Sequence, residues 1–387
     1  MPWKETVPME QRLRFMLACE DEPTSHAEQC RRFGISRKTG YKWRERYRLY
    51  GLTGAHERSR ARLTQAHRIS DAMAKELLEV KCRHPDWGPK KVRDWFLLKR
   101  PSLDTPAAST IGELFERHGL VKPRRKRRRS PPYTEPFVAC VEPNDVWSAD
   151  FKGQFKMGNT RWCYPFTLTD NCSRYLLACQ GGYDTSLQGV RRSLDHAFRE
   201  FGLPQAIRTD NGTPFASTGL AGLSQLSVWL IRLNVIPERI PPGRPAQNGR
   251  HERMHRSMKA AMGCAGIKMD LAAQQRWFNE YRQSFNEERP HEALDGKTPG
   301  YVHKLSNRRY TGHVPDIEYP DTVTVRRVRS TGAIRWQGKL VFISNALQGE
   351  QVSLTQEEET RWCIRFGPVV LGYWDDVRKQ VVRLEKP

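Results

Sequence analysis

The sequence predicts a multidomain α+β chain, with helix-turn-helix modules first, an α/β core next and a small β-barrel last. Three changes of texture carry this expectation. Up to about residue 121 the apolar positions recur at helical spacing behind serine caps. From about 140 to 300, β-branched and apolar runs alternate with helical patterns, and beyond Tyr301 only short β runs remain. The expected units are a helix-turn-helix domain over 1–60 and a second helix-turn-helix or winged-helix-like domain over 68–122. A basic linker over 123–138, the core over 139–302 and the barrel over 315–387 complete the chain.

In the first unit, Ser25-His26-Ala27-Glu28 is a capping box and starts a helix. The chain turns at Phe33-Gly34-Ile35, and Ser36 caps a second helix carrying Arg37, Lys38, Lys42 and Trp43. In a helix-turn-helix this second helix enters the major groove, so Arg37, Lys38 and Lys42 are candidate DNA contacts. The second unit begins at Ser70, turns at Trp87-Gly88-Pro89 and contains a third helix with Ser109 as its expected cap. Then follows Arg124-Arg125-Lys126-Arg127-Arg128-Arg129, too self-repulsive to fold alone and bounded by Ser130-Pro131-Pro132. Such a run reads as a linker able to neutralise DNA phosphates.

In the core, strands are expected over 145–151, 162–169, 175–180 and 206–209, with a helix from Leu187 to Phe201 stopped by Gly202. The final segment yields runs at 322–328, 333–336, 340–343, 351–354, 362–366 and 369–374, which fit a small barrel with Trp336, Trp362 and Trp374 in its core.

Composition narrows the partners. The 387 residues carry a formal charge of +22 and a pI of about 9.8, which suits a polyanion such as DNA. The nine cysteines lack any C-x-x-C pair, which argues against a disulfide framework or a zinc site and fits reduced thiols in a cytoplasmic setting. The N-terminus lacks the apolar region of a secretory signal. The most apolar stretch, Leu223 to Ile236, is broken by Gln225 and Arg232 and falls short of the roughly 18 apolar residues of a membrane span.

Against this basic background three carboxylates stand out. Asp150 lies inside the strand Trp147-Ser148-Ala149-Asp150-Phe151, where an acid is disfavoured unless a partner or metal compensates it. Asp210 ends a strand at the Asp210-Asn211-Gly212 turn, where ligands commonly gather. Glu252 lies on a helix opened by Pro241-Pro242-Gly243-Arg244-Pro245 and Asn248-Gly249. Helical spacing groups Glu252, His255, Arg256 and Lys259 on one face, setting an acid beside bases able to hold phosphate. Oxygen-only ligands suit Mg²⁺ or Mn²⁺, and three carboxylates can hold two such ions across a phosphodiester.

These motifs, with Lys259 seven residues beyond Glu252 and with Arg289-Pro290-His291 and Thr298-Pro299 near the end of the core, resemble the DDE transposase and retroviral-integrase (rve) catalytic core. They are most similar to bacterial insertion-sequence transposases. The resemblance covers roughly residues 140–300 and implies a ribonuclease-H-like fold with Asp150, Asp210 and Glu252 as catalytic metal ligands for two Mg²⁺, for which Mn²⁺ may substitute. It implies cleavage at the ends of a mobile element and joining of the 3′ hydroxyl to target DNA. It assigns DNA contacts to Asn211, Arg256 and Lys259, the last two on phosphate, and implies double-stranded DNA (terminal inverted repeats and target) and further copies of the chain as partners, with no membrane and a cytoplasmic, nucleoid-associated location. The interval from Asp210 to Glu252 exceeds the shortest integrase pattern, and the retroviral His/Cys zinc arrangement is missing from the N-terminal part. Two alternatives remain, a DNA-binding regulator with an inactive core and a ribonuclease-H-like nuclease that cuts without joining.

Overall fold

Local sequence decides where the N-terminal helices begin. In the computed structural model, which describes residues 8–21, 23–57, 69–121, 140–217, 220–240 and 248–383, helix α1 spans Pro8–Asp21, α2 His26–Arg32 and α3 Arg37–Tyr50. The Ser25 and Ser36 hydroxyls accept from the backbone N–H of Glu28 and Thr39, as the capping box demands. Between α2 and α3 the chain reverses at Gly34, whose φ of 67° is open to glycine at little cost. The helices cross closely at Gly40, where a Cβ would lie 2.4 Å from the Cys30 sulfur. Phe15, Met16, Cys30, Trp43 and Ala55 form the small core of this unit, which ends at Arg68.

The rest of the chain forms a second compact unit, Ile69–Pro387. It opens with α4 (Asp71–Arg83), α5 (Pro89–Lys99) and α6 (Ala108–Arg117) around Leu77, Trp87, Val92, Phe96, Ile111 and Phe115. Ser70 caps α4, and Pro89 starts α5. Helix α6 is capped at Ala107, so Ser109 lies within the helix instead of preceding it. Arg124 to Arg129 and the loop over 241–247 fall outside the described residues.

A mixed five-stranded sheet follows in the order β5-β4-β1-β6-β7, comprising β1 (Val146–Phe151), β4 (Phe166–Asp170), β5 (Leu176–Gln180), β6 (Ala206–Thr209) and β7 (Ile236–Arg239). Strand β1 is antiparallel to β4 and parallel to β6. The strand expected over 162–169 is split, because β2 (Phe155–Lys156) and β3 (Trp162–Cys163) form a separate hairpin. Pro165, which has no N–H to give a ladder, separates β3 from β4.

Alternation along β1 and β4, with a register shift where β4 pairs β5, builds two cores. Trp147, Ala149, Phe166, Leu168 and Leu177 face α7 (Leu187–Phe201) and α8 (Gln225–Arg232). On the opposite face, Leu176 and Cys179 meet α9 (Gly249–Ala265) and α10 (Leu271–Glu287) through Met254, Met258, Met262, Phe278 and Tyr281. A short α11 (Pro299–Val302) follows α10.

The apolar stretch at 223–236 contains α8, which is buried on two sides. Leu226, Trp229 and Leu230 join the core of the mixed sheet, while Val228 and Ile231 join that of the C-terminal sheet. A helix apolar all round is one with no solvent face, and no helix among the described residues is long and apolar enough to cross a membrane.

The C-terminal part corrects the expected barrel. Strands β8 (Thr324–Arg327), β11 (Gln351–Glu358), β12 (Arg361–Phe366), β13 (Val369–Asp375) and β14 (Gln380–Val382) form an open sheet in the order β14-β13-β12-β11-β8. Among the described residues, strands β9 (Ala333–Trp336) and β10 (Lys339–Phe342) pair only with each other, and no ladder joins β14 to β8. Closure needs every edge paired, and these edges are not. Trp336 and Trp374 are buried, and Trp362 packs edge-on against Trp336 at 4.9 Å between ring centroids. Asp376 accepts from the indole N–H groups of both Trp362 and Trp374, at 2.9 and 2.8 Å.

Candidate active site

Strand register brings the two aspartates together. The parallel ladder of β1 and β6 pairs Val146 with Ala206, Trp147 with Ile207 and Ser148 with Arg208. Asp150 and Asp210 each lie two residues past the last of these pairs, so they stand side by side at the C-terminal ends of adjacent strands. Asp150 shares the α9 side of the sheet with Ser148 and its antiparallel partner Thr167. Asp210 accepts from the Gly212 N–H at 3.0 Å, and the Asn211 amide donates to the Ile240 carbonyl at 2.5 Å. The Asn211 side chain is thus engaged in holding the turn to the strand beside it.

Glu252 arrives in the first turn of α9. Its carboxylate is exposed, as is that of Asp210, while Asp150 keeps only 20% of its side-chain surface. Burial, then the Asp210 charge, then that of Glu252 push the Asp150 carboxyl up to about 7. All three acids therefore act on one small volume. Concentrated negative charge with oxygen donors suits hard divalent cations.

The face expected for α9 is divided. Glu252, Arg256 and Lys259 are exposed along one stripe, whereas His251, Met254 and Met258 are buried against the sheet. His255 turns toward the sheet with the latter group. His251 Nε2 and Nδ1 lie 2.7 and 2.8 Å from the hydroxyls of Thr167 and Thr169, and His255 Nε2 lies 2.7 Å from Thr167. Burial lowers the basicity of both imidazoles, His255 to about 4. Asn248 at the head of α9 approaches Asp150 Oδ2 at 3.5 Å.

Lys152 belongs to the same site and is absent from the sequence expectation. Burial and the neighbouring Lys259 charge pull its ammonium below the ordinary value. Its signal was strand alternation, since a residue two beyond Asp150 returns to the same face. The first helical unit leaves Arg37, Lys38 and Lys42 exposed on α3.

This arrangement has relatives. Residues 141–245 match the integrase core domain family, and residues 233–299 match a second family of that description. Over these residues the chain matches the integrase core, and the relatives it matches include insertion-element proteins. Homeodomain-like domains match residues 7–55 and 39–115, ahead of the integrase core. The insertion element IS407 31.7 kDa protein of Burkholderia multivorans is 30% identical over 200 residues, covering 49% of this chain and 66% of that protein. The insertion element IS476 39.2 kDa protein of Xanthomonas euvesicatoria is 27% identical over 241 residues, covering 59% and 64%. The chain thus spans just under two thirds of the length of these relatives. Among solved structures, a simian T-cell lymphotropic virus intasome aligns at 15% identity with a TM-score of 0.39, over 80% of this chain and 99% of that chain.

Proposed function

We propose that this protein is a metal-dependent DDE transposase with a ribonuclease-H-like core, in which Asp150, Asp210 and Glu252 hold two divalent cations, Mg²⁺ or Mn²⁺. The supporting observation is the shared register of Asp150 and Asp210 together with the combined effect of Asp210 and Glu252 on Asp150. When bound, such a pair of ions activates an attacking oxygen and neutralises charge at the scissile phosphate and leaving oxygen.

The chain's own residues do the rest. Lys259, Arg256 and Lys152 attract and orient the phosphodiester beside the acids. Arg37, Lys38 and Lys42 engage the element end, and Arg124 to Arg129 neutralise phosphates between recognition and chemistry. Water is the nucleophile that frees a 3′ hydroxyl, and that hydroxyl then attacks target DNA at the same site. Two ends and one target require at least two copies of the chain on DNA.

The test is a cleavage and strand-transfer assay on duplexes carrying the gene's own flanking ends, with Mg²⁺ or Mn²⁺. Nicks and joined products are expected from the wild type and neither from Asp150→Asn or Asp210→Asn, with DNA binding retained in both. Nicks without joined products would point to a nuclease. Binding without nicks would point to a regulator.

A further inference from the structure

Asp150, His251 and His255 bring potential ligand atoms within 4.8 Å of one another, but the two histidines are not equivalent. His251 is fully buried, with both ring nitrogens engaged by threonine hydroxyls. It has no lone pair to spare for a ligand. His255 has one nitrogen on Thr167 and the other, Nδ1, 4.0 Å from Asp150 Oδ2.

Proton counting assigns the tautomer. Thr167 Oγ1 has one hydrogen and three polar neighbours, the Asp150 carbonyl at 3.1 Å and the Nε2 atoms of His251 and His255 at 2.7 Å each. A carbonyl can only accept, so the hydroxyl donates to it and both Nε2 atoms donate to the hydroxyl. His255 Nδ1 then carries a lone pair 4.0 Å from an Asp150 carboxylate oxygen. Once Asp150 is ionised, these are two acceptors facing each other without a donor between them, which is mutually unfavourable, and a cation satisfies both. Their separation lies within the span of two ligands each about 2.1 Å from one ion.

We propose that His255 Nδ1 is a nitrogen ligand to the cation held by Asp150, with Thr167 fixing the ring through Nε2–H. A metal-bound histidine commonly donates its other N–H to an oxygen in this way. The proposal rests on the carboxylate metal site of the proposed function and adds to it a mixed nitrogen and oxygen donor set at one of the two ions. Imidazole suits the softer transition ions, so the site should prefer Mn²⁺ to Mg²⁺ more strongly than an all-oxygen site does.

The experiment is electron spin-echo spectroscopy of Mn²⁺ added to the full-length protein, with and without duplex DNA. The wild type should show modulation from a directly coordinated imidazole ¹⁴N, and uniform ¹⁵N-histidine labelling should replace it with the ¹⁵N pattern. His255→Gln should lose the modulation and bind Mn²⁺ about tenfold more weakly. Thr167→Ser, which keeps the hydroxyl, should retain both. The labelling arm uses unmutated protein and decides the question even where a variant fails to fold. Bound Mn²⁺ that depends on Asp150 but lacks nitrogen modulation would overturn the role of His255 and leave the carboxylate site standing. No Mn²⁺ binding in either condition, or binding unaffected by Asp150→Asn, would overturn the carboxylate site and His255 with it.

Discussion

Replacing Asp150 with asparagine should stabilise the metal-free protein, by an amount set by pH. The carboxyl titrates near its ordinary value of 3.8 when unfolded and near 7 when folded, because burial and two neighbouring acids oppose its charge. Below the unfolded value the group is protonated in both states and costs nothing. As pH rises between the two values the unfolded chain ionises first, so stability falls, and above about 7 the full penalty applies. A shift of about three units corresponds to about 4 kcal/mol. At roughly 2 °C per kcal/mol for a unit of this size, Asp150→Asn should melt about 8 °C higher at pH 8 in EDTA and at nearly the same temperature as wild type at pH 4. Thermal unfolding followed by circular dichroism checks this. Wild type and variant curves that run parallel from pH 4 to pH 8 would refute the electrostatic reasoning. Millimolar Mg²⁺ should narrow the gap at pH 8, since an ion that binds the folded state stabilises the wild type.

Alanine at Arg37, Lys38 or Lys42 should each lower the log–log salt slope of DNA binding by about 0.9, measured by fluorescence anisotropy, and an unchanged slope would remove that residue from the DNA contact. Arg289 donates to Asp86 on the turn before α5 at 2.7 Å and to Ser257 on α9 at 3.2 Å. Arg289→Ala strands a buried carboxylate and should cost about 3 to 5 kcal/mol in urea unfolding. Arg289→Lys should not restore it, because one ammonium does not reproduce the fork that reaches both partners. Gly40→Ala sets a methyl against the Cys30 sulfur and should destabilise the first unit by about 1 to 3 kcal/mol, read from Trp43 fluorescence, while unfolding of residues 69–387 stays unchanged.

Much of the fold was legible where the code is local. Ser25, Ser36 and Ser70 mark helix starts because a capping hydroxyl acts within three residues, and the alternating strands around Asp150 appear where expected. Ser109 misled because the same residue type fits both a cap and a helix interior, and packing of Ile111, Leu114 and Phe115 favours a cap at Ala107. His255 misled for a related reason. Spacing on α9 puts it near both the exposed stripe and the buried one, and only Thr167 of β4 decides between them.

The sequence by itself determined the order of helical, mixed and β segments, the two strands and the helix that place the three acids, and the basic charge that favours DNA. Periodicity, capping and charge are properties of neighbours along the chain, so they can be read without coordinates. Only the tertiary structure decided that the register of β1 against β6 aligns Asp150 with Asp210, that Lys152 and His255 join them, and that α8 is shared by two cores. It also left the C-terminal sheet open. Each of these depends on which distant surfaces meet, and burial, ladder closure and the repulsion of converging charges are settled only when they do.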